Sequence, residues 1–143
     1  MNTTLKTLGW GPHFARQAVL DPDGDPPSHP VRVAAVHRSR LDGFSADGPI
    51  SLSPVVAAGL YAVGDWVIAT GAAASAPLER TTEITRRAAG AESKPQLIAA
   101  NVDTLGIVTS CNADFNVARL ERYLASASYT LLTLPTSDSA QSP

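Results

Sequence analysis

Apolar positions along the chain first fall at helical intervals, then alternate in short runs, then return to a helical face. Leu5, Leu8, Phe14 and Ala18 lie near helical spacing, but Gly9, Gly11 and Pro12 interrupt them, which predicts a short helix, a turn and a second helical piece. The run Asp21 to Pro30, DPDGDPPSHP, holds four prolines, three acids and a glycine. Such a segment neither continues a helix nor enters a central strand, so it reads as a linker.

From Val31 to Ile98 the texture is that of short strands between turns: VRVAAVH, RLDGFSADG, ISLSPVV, WVIAT and ERTTEIT. Gly43, the pair Asp47-Gly48 and the pair Gly64-Asp65 supply the positive φ that tight turns require. Five strands in under seventy residues predict a small barrel of the OB type. Beyond Ala99, Leu105 to Ser110 reads as a strand, CNADF as a loop, and Asn116 as the cap of a helix carrying Val117, Leu120, Leu124 and Ala127 on one face. Tyr129 to Leu134 reads as a further strand. That unit is the start of an α/β sheet which the polar tail SDSAQSP cuts short. The expected organisation is therefore a helical arm and linker at residues 1–30, a mainly β OB barrel at 31–98, and a truncated α/β segment at 99–143.

Composition narrows this further. Of 143 residues 44% are apolar, but 23 of them are alanine, so one thin-cored domain is expected. The formal charge of -2 supplies no overall field toward nucleic acid or an anionic membrane, and any such contact must come from a local patch. Cys111, the single cysteine, excludes an internal disulfide, and three scattered histidines do not complete a structural zinc site with it. The N-terminus lacks the h-region of a secretory signal, and the longest apolar run, Val55 to Val63, is too short to span a bilayer. An unexported, cytoplasmic protein with no membrane partner is expected.

The stretch Ile84 to Leu124, with AANVDT, IVTS, NADFN and RLERYL at its centre, resembles the small-ribosomal-subunit-dependent GTPases of the RsgA (YjeQ) family, which are circularly permuted. Weaker likeness runs back through VGDWV and VHRSR to LKTLGWGPHF. The resemblance implies an N-terminal OB domain, then a permuted GTPase domain using GTP and Mg2+, then a zinc-binding domain, the whole assisting maturation of the small ribosomal subunit. It also implies that this chain covers only the N-terminal portion, stopping where the nucleotide site begins.

Two departures follow. The guanine motif [NT]-K-x-D of that family aligns with Pro135, Thr136, Ser137 and Asp138, so Asp138 is the only candidate GTP-binding remnant. A carboxylate there accepts hydrogen bonds from the guanine edge, but lacks the lysine and amide that brace the loop. The phosphate loop GxxxxGK[ST] does not occur: the only lysines are Lys6 and Lys94, and neither follows a glycine. GTP hydrolysis by these residues alone is not expected, no catalytic residue is assigned, and no cofactor or metal is expected within this chain. Asp103 to Gly106 matches D-x-x-G, but it precedes the expected strand where a switch would end one.

The densest basic set is Arg38, Arg40, Arg86, Arg87 and Lys94, the candidate RNA-binding residues. Phe44, Tyr61 and Trp66 offer stacking surfaces, with core burial the commoner fate of such residues. The partners this implies are the small ribosomal subunit and its RNA, with no DNA. Two other readings stand beside it: a free-standing OB module for single-stranded nucleic acid, and an inactive product of a degenerate gene.

Overall fold

The computed structural model describes residues 3–87, 94–113 and 115–132. The arm is helical, as its spacing predicts: α1 (Thr3–Thr7), then α2 (Pro12–Ala15), with proline at the first helical position, where its missing N–H costs nothing. Five strands follow and close on themselves: β1 (Ser28–Val36), β2 (Leu41–Ser45), β3 (Gly48–Pro54), β4 (Trp66–Thr70) and β5 (Ala73–Ala74), in the order β1-β2-β3-β5-β4. A closed five-stranded barrel is the OB class the sequence predicts. Beyond it β6 (Glu83–Arg87) and β7 (Pro95–Ala100) pair as a separate two-stranded sheet, and α3 (Val117–Leu132) packs on β6.

Several elements differ from the sequence reading, each for a physical reason. The linker is shorter than expected, because β1 takes in Ser28, His29 and Pro30, with Pro30 opposite Ile68 of β4. The pairing of β1 with β2 starts only at Arg32, so Pro30 sits where one side of the strand is unpaired and its missing N–H leaves no gap in a central ladder. Gly43 makes no turn. It lies inside β2, where a Cβ would stand 2.6 Å from the Arg32 carbonyl oxygen, so glycine permits close approach of two backbones. The barrel closes through Ala73–Ala74 and not through ERTTEIT: two alanines bridge β3 and β4, a role that needs no side-chain bulk. Leu105 to Ser110 is not a strand; no described strand pairs with it, and Leu105 and Val108 are exposed. Tyr129 to Leu132 continues α3, because the sequence has neither glycine nor proline between Val117 and Leu134. Asn116 caps that helix as expected, its Oδ1 accepting the Arg119 N–H at 3.1 Å.

Strand period divides the core in two. Val67 and Ala69 of β4 point into the barrel with Val31, Val33, Leu41, Leu52 and Tyr61. Trp66 and Ile68, on the opposite face, pack with Trp10 and Phe14 of the arm. The Trp10 and Trp66 rings meet edge to face at 4.9 Å, and the Arg32 guanidinium lies 5.9 Å from the Trp66 ring. The run WVIA is therefore buried on both faces, which its unbroken apolar character signals. The arm is a cover for one outer wall of the barrel.

The barrel and the second sheet are joined by polar groups. Asp65 is fully buried, and Arg80 donates to both of its oxygens at 2.7 and 2.8 Å, while the Ala62 N–H donates to Oδ2 at 2.7 Å. Arg80 also donates to the Leu60 carbonyl and to Glu83, the first residue of β6. The Asp65 hydrogen bonds hold the Arg80 guanidinium above its ordinary value. Asn101, at the end of β7 with φ of 55°, donates to the Gly64 carbonyl and accepts from the Thr81 N–H, while its own carbonyl accepts from Arg32. Arg32 also donates to the Leu8 carbonyl, so arm, barrel and second sheet meet at one polar junction.

Two expectations follow. Asp65→Ala leaves the partly buried Arg80 guanidinium with only the exposed Glu83 carboxylate as counter-charge, and is expected to cost about 3 to 5 kcal/mol in urea unfolding. Gly64 has φ of +95° and a Cβ there would stand 2.0 Å from the Ala100 carbonyl oxygen, whereas Gly48, with φ of +119°, has open space. Gly48→Ala should cost about 1 to 3 kcal/mol of backbone strain, and Gly64→Ala clearly more, in paired denaturation curves. Equal losses would remove the clash from the account.

Candidate nucleic-acid interface

The fold separates the basic residues that the sequence presents as one set. Arg38, just past β1, and Lys94, just before β7, line one open concavity of about 700 Å³, together with Tyr61, Val63, Gln96 and Ile98. Val63 and Ile98 are each 45% exposed and give it an apolar floor, since the parallel bridge from Val63 to Ala99 brings barrel and sheet side by side. Arg86 and Arg87, at the end of β6, line a second concavity of about 710 Å³. Pro95 borders both. Neither has a carboxylate among its described lining residues.

Arg40 belongs to neither. Its guanidinium pairs with Asp42 at 3.0 Å, and Asp42 also accepts from the Ser51 hydroxyl at 2.6 Å and meets His37 Nε2 at 2.9 Å. These four residues sit on the exposed face of the β1-β2-β3 meander, where register sets Asp42 opposite Ser51. A cation held by an adjacent carboxylate has little surplus charge to offer a phosphate. Asp138 lies outside the described residues.

The second concavity contains residues that sequence reasoning missed. Arg119, Arg122 and Tyr123 of α3 complete it, facing Arg86 and Arg87 of β6 across the gap. The signal was present in RLERYL: positions i, i+3 and i+4 of a helix share one face. Arg86 donates through Nε to Gln96 Oε1 at 2.9 Å, its cross-strand neighbour, which fixes the guanidinium while using one of its donors.

The aromatic candidates divide as well. Trp66 and Tyr61 are core residues, Tyr61 donating to the Ser75 carbonyl at 2.9 Å, so neither Trp66 nor the Tyr61 hydroxyl is available to a ligand. Phe44 is 43% exposed and lies in an apolar groove with Leu8, Val63 and Ala99. Cys111 is exposed in the loop before α3. Among the described residues no three histidine, cysteine or acidic side chains gather as a metal site. No described helix is long and apolar enough to cross a membrane.

No protein-family model matches the chain. Among curated proteins it is similar to the small ribosomal subunit biogenesis GTPase RsgA of Mesorhizobium japonicum, 50% identical over 128 residues, which is 87% of this chain and 36% of that protein. It is 42% identical to RsgA 2 of Vibrio vulnificus over 87% of the chain and 35% of the relative, and 38% identical to RsgA of Opitutus terrae over 87% and 39%. The chain thus spans little more than a third of the length of the curated relatives it matches.

The Asp42 constellation makes a pH prediction. The Ser51 hydroxyl above all, then His37 and Arg40, hold the Asp42 carboxyl below its ordinary 3.8, against an opposing desolvation. A depressed carboxyl stabilises the fold above its unfolded value, and that contribution is lost as pH falls through the folded one, so it disappears only in the acid limb below 3.8. A carbon-detected NMR titration should place the Asp42 midpoint below 3.8, and Ser51→Ala should move it upward. A midpoint unmoved by Ser51→Ala would assign the shift to other groups.

Proposed function

From its relation to the RsgA family of small ribosomal subunit biogenesis GTPases, whose N-terminal portion it matches, we propose that this chain serves small-subunit biogenesis by docking on ribosomal RNA. The barrel is the docking module, working in the cytoplasm. Arg38 and Lys94 contact backbone phosphates from one concavity and Arg86 and Arg87 from its neighbour. The observation that carries the reading is the gathering of Arg38 with Lys94, and of Arg86 with Arg87, along two neighbouring concavities in a chain that is acidic as a whole. Clustered cations attract a phosphate backbone by Coulomb attraction and release of its condensed counterions.

Guanosine triphosphate turnover is no part of what these residues supply, because GxxxxGK[ST] does not occur among them. The chemistry left to this portion is recognition. Shape and phosphate contacts dominate binding to folded RNA, and a rigid barrel with cations on one side suits that task.

Cosedimentation of the chain with purified small subunits across a salt series tests this. Binding should weaken steeply with salt, and Arg38→Ala with Lys94→Ala should reduce the slope of log K against log salt by about 2, roughly one per phosphate contact. Arg40→Ala should change little, since Asp42 already holds that guanidinium. A double variant with unchanged affinity and slope would overturn the docking surface. Binding of unstructured RNA as tightly as of subunits would favour a general single-strand binder instead.

A further inference from the structure

Of Phe44, Tyr61 and Trp66, only Phe44 is exposed, and docking through phosphates leaves it unused. It lies opposite Arg32 of β1 on one side and Pro49 of β3 on the other, so its backbone is fixed within the barrel wall. The concavity beside it, about 390 Å³, is lined by small or apolar groups that include Ala34, Val63, Gly64 and Ala99. That volume is within the range of ligand clefts, and short side chains leave room for a flat ring. Three charged or amide side chains also line it: Arg32, Asn101 and Asp103. Arg32 is committed to the Leu8 and Asn101 carbonyls, and the Asn101 amide to Gly64 and Thr81. Asp103 is exposed and makes no side-chain hydrogen bond or ion pair among the described residues. A carboxylate repels phosphate, so what it admits from a polynucleotide is the donor edge of a base. Guanine alone of the RNA bases sets two adjacent N–H donors, N1 and the 2-amino group, on its Watson–Crick edge, and that edge is free only when the base is unpaired.

We propose that this groove seats an unpaired guanine of RNA, the base stacked on the Phe44 ring and its Watson–Crick edge against the Asp103 carboxylate. The seat rests on the RNA docking proposed above and adds a base contact to it. Val63 lines this groove and also the concavity of Arg38 and Lys94, so backbone attached to the seated base passes directly to those cations. Phosphate contacts position an RNA without reading it, and stacking on an aromatic ring tolerates any base. Selection therefore falls to Asp103, and affinity at the seat to Phe44.

The test uses the full chain and fluorescein-labelled RNA hairpins whose uridine loop carries a guanosine, an inosine or neither, read by anisotropy. Inosine keeps N1–H and lacks the 2-amino group. The guanosine loop is expected to bind about tenfold more tightly than the all-uridine loop, with inosine between them. Phe44→Leu, which keeps bulk and removes the aromatic face, should weaken binding of the guanosine loop about tenfold, and Phe44→Tyr should retain it. Asp103→Asn lies outside the barrel strands and should erase the guanosine preference. A carboxylate that only repels phosphate would instead, as asparagine, tighten every loop alike, and that result overturns the seat. Binding indifferent to the loop base, no binding of any loop, or unchanged affinity in Phe44→Leu also overturns it. Amide NMR spectra of the variants check that the barrel is retained. Cosedimentation with small subunits separates the two ideas. Docking that Arg38→Ala with Lys94→Ala abolishes, without any guanosine preference, sinks this seat alone; guanosine preference without subunit docking sinks the docking function and leaves the seat standing.

Discussion

A carboxylate with no exposure at all must be paired, and the pairing of Asp65 sets how the parts of this protein meet. Arg80 comes to it from beyond the barrel, and in doing so fixes the entry into β6 through Glu83. Because the bond is bidentate, it fixes orientation as well as distance. Asn101 repeats the arrangement where the chain leaves the second sheet, binding Gly64 next to Asp65 and Thr81 next to Arg80. The sheet is therefore clamped at both its entrance and its exit to the same turn of the barrel. A hydrophobic seam would have held it with less definition, since apolar contact is non-directional.

The barrel was largely legible in the sequence because its strands alternate and its turns use the residues those turns demand. Leu41, Gly43 and Ser45 face one way in β2, Asp42 and Phe44 the other, and Asp47-Gly48 closes the hairpin to β3. What escaped was whatever depends on a partner distant in sequence. Ala73–Ala74 is a strand only because β3 and β4 lie on either side, and nothing in GAAAS announces it. The apolar run Leu105 to Ser110 has the opposite history: its composition suits a strand, but a strand needs a neighbour to satisfy its backbone, and no described strand supplies one. Pro30 and Gly43 were misread for a related reason, since the meaning of each is set by which backbone lies beside it.

The candidate site was legible as a density of positive charge and illegible as an arrangement. Arg38 and Arg40 are two residues apart in sequence, yet one lines a concavity and the other is bound to Asp42, because the hairpin register brings Asp42 back beside His37 and Arg40. That loss was partly readable, given HRSRLD in a predicted hairpin. The pairing of Arg86 and Arg87 with Arg119 and Arg122 was not, because more than thirty residues separate them and only the packing of α3 on β6 joins them.

The junction at Asp65 thereby acts on the charge distribution as well as on stability. Arg86 and Arg87 sit at the far end of β6 from Glu83, three and four residues along a strand whose direction is set where Arg80 leaves Asp65. Lys94 immediately precedes β7, whose other end is held by Asn101. Both strands are anchored at one end, and at the other end Lys94 shares a concavity with Arg38 of the barrel. Loosening the anchor would leave every basic side chain exposed and in place along the sequence while dissolving the two concavities they form. Long-range contacts define that arrangement; the composition alone carries only the net charge, which is negative.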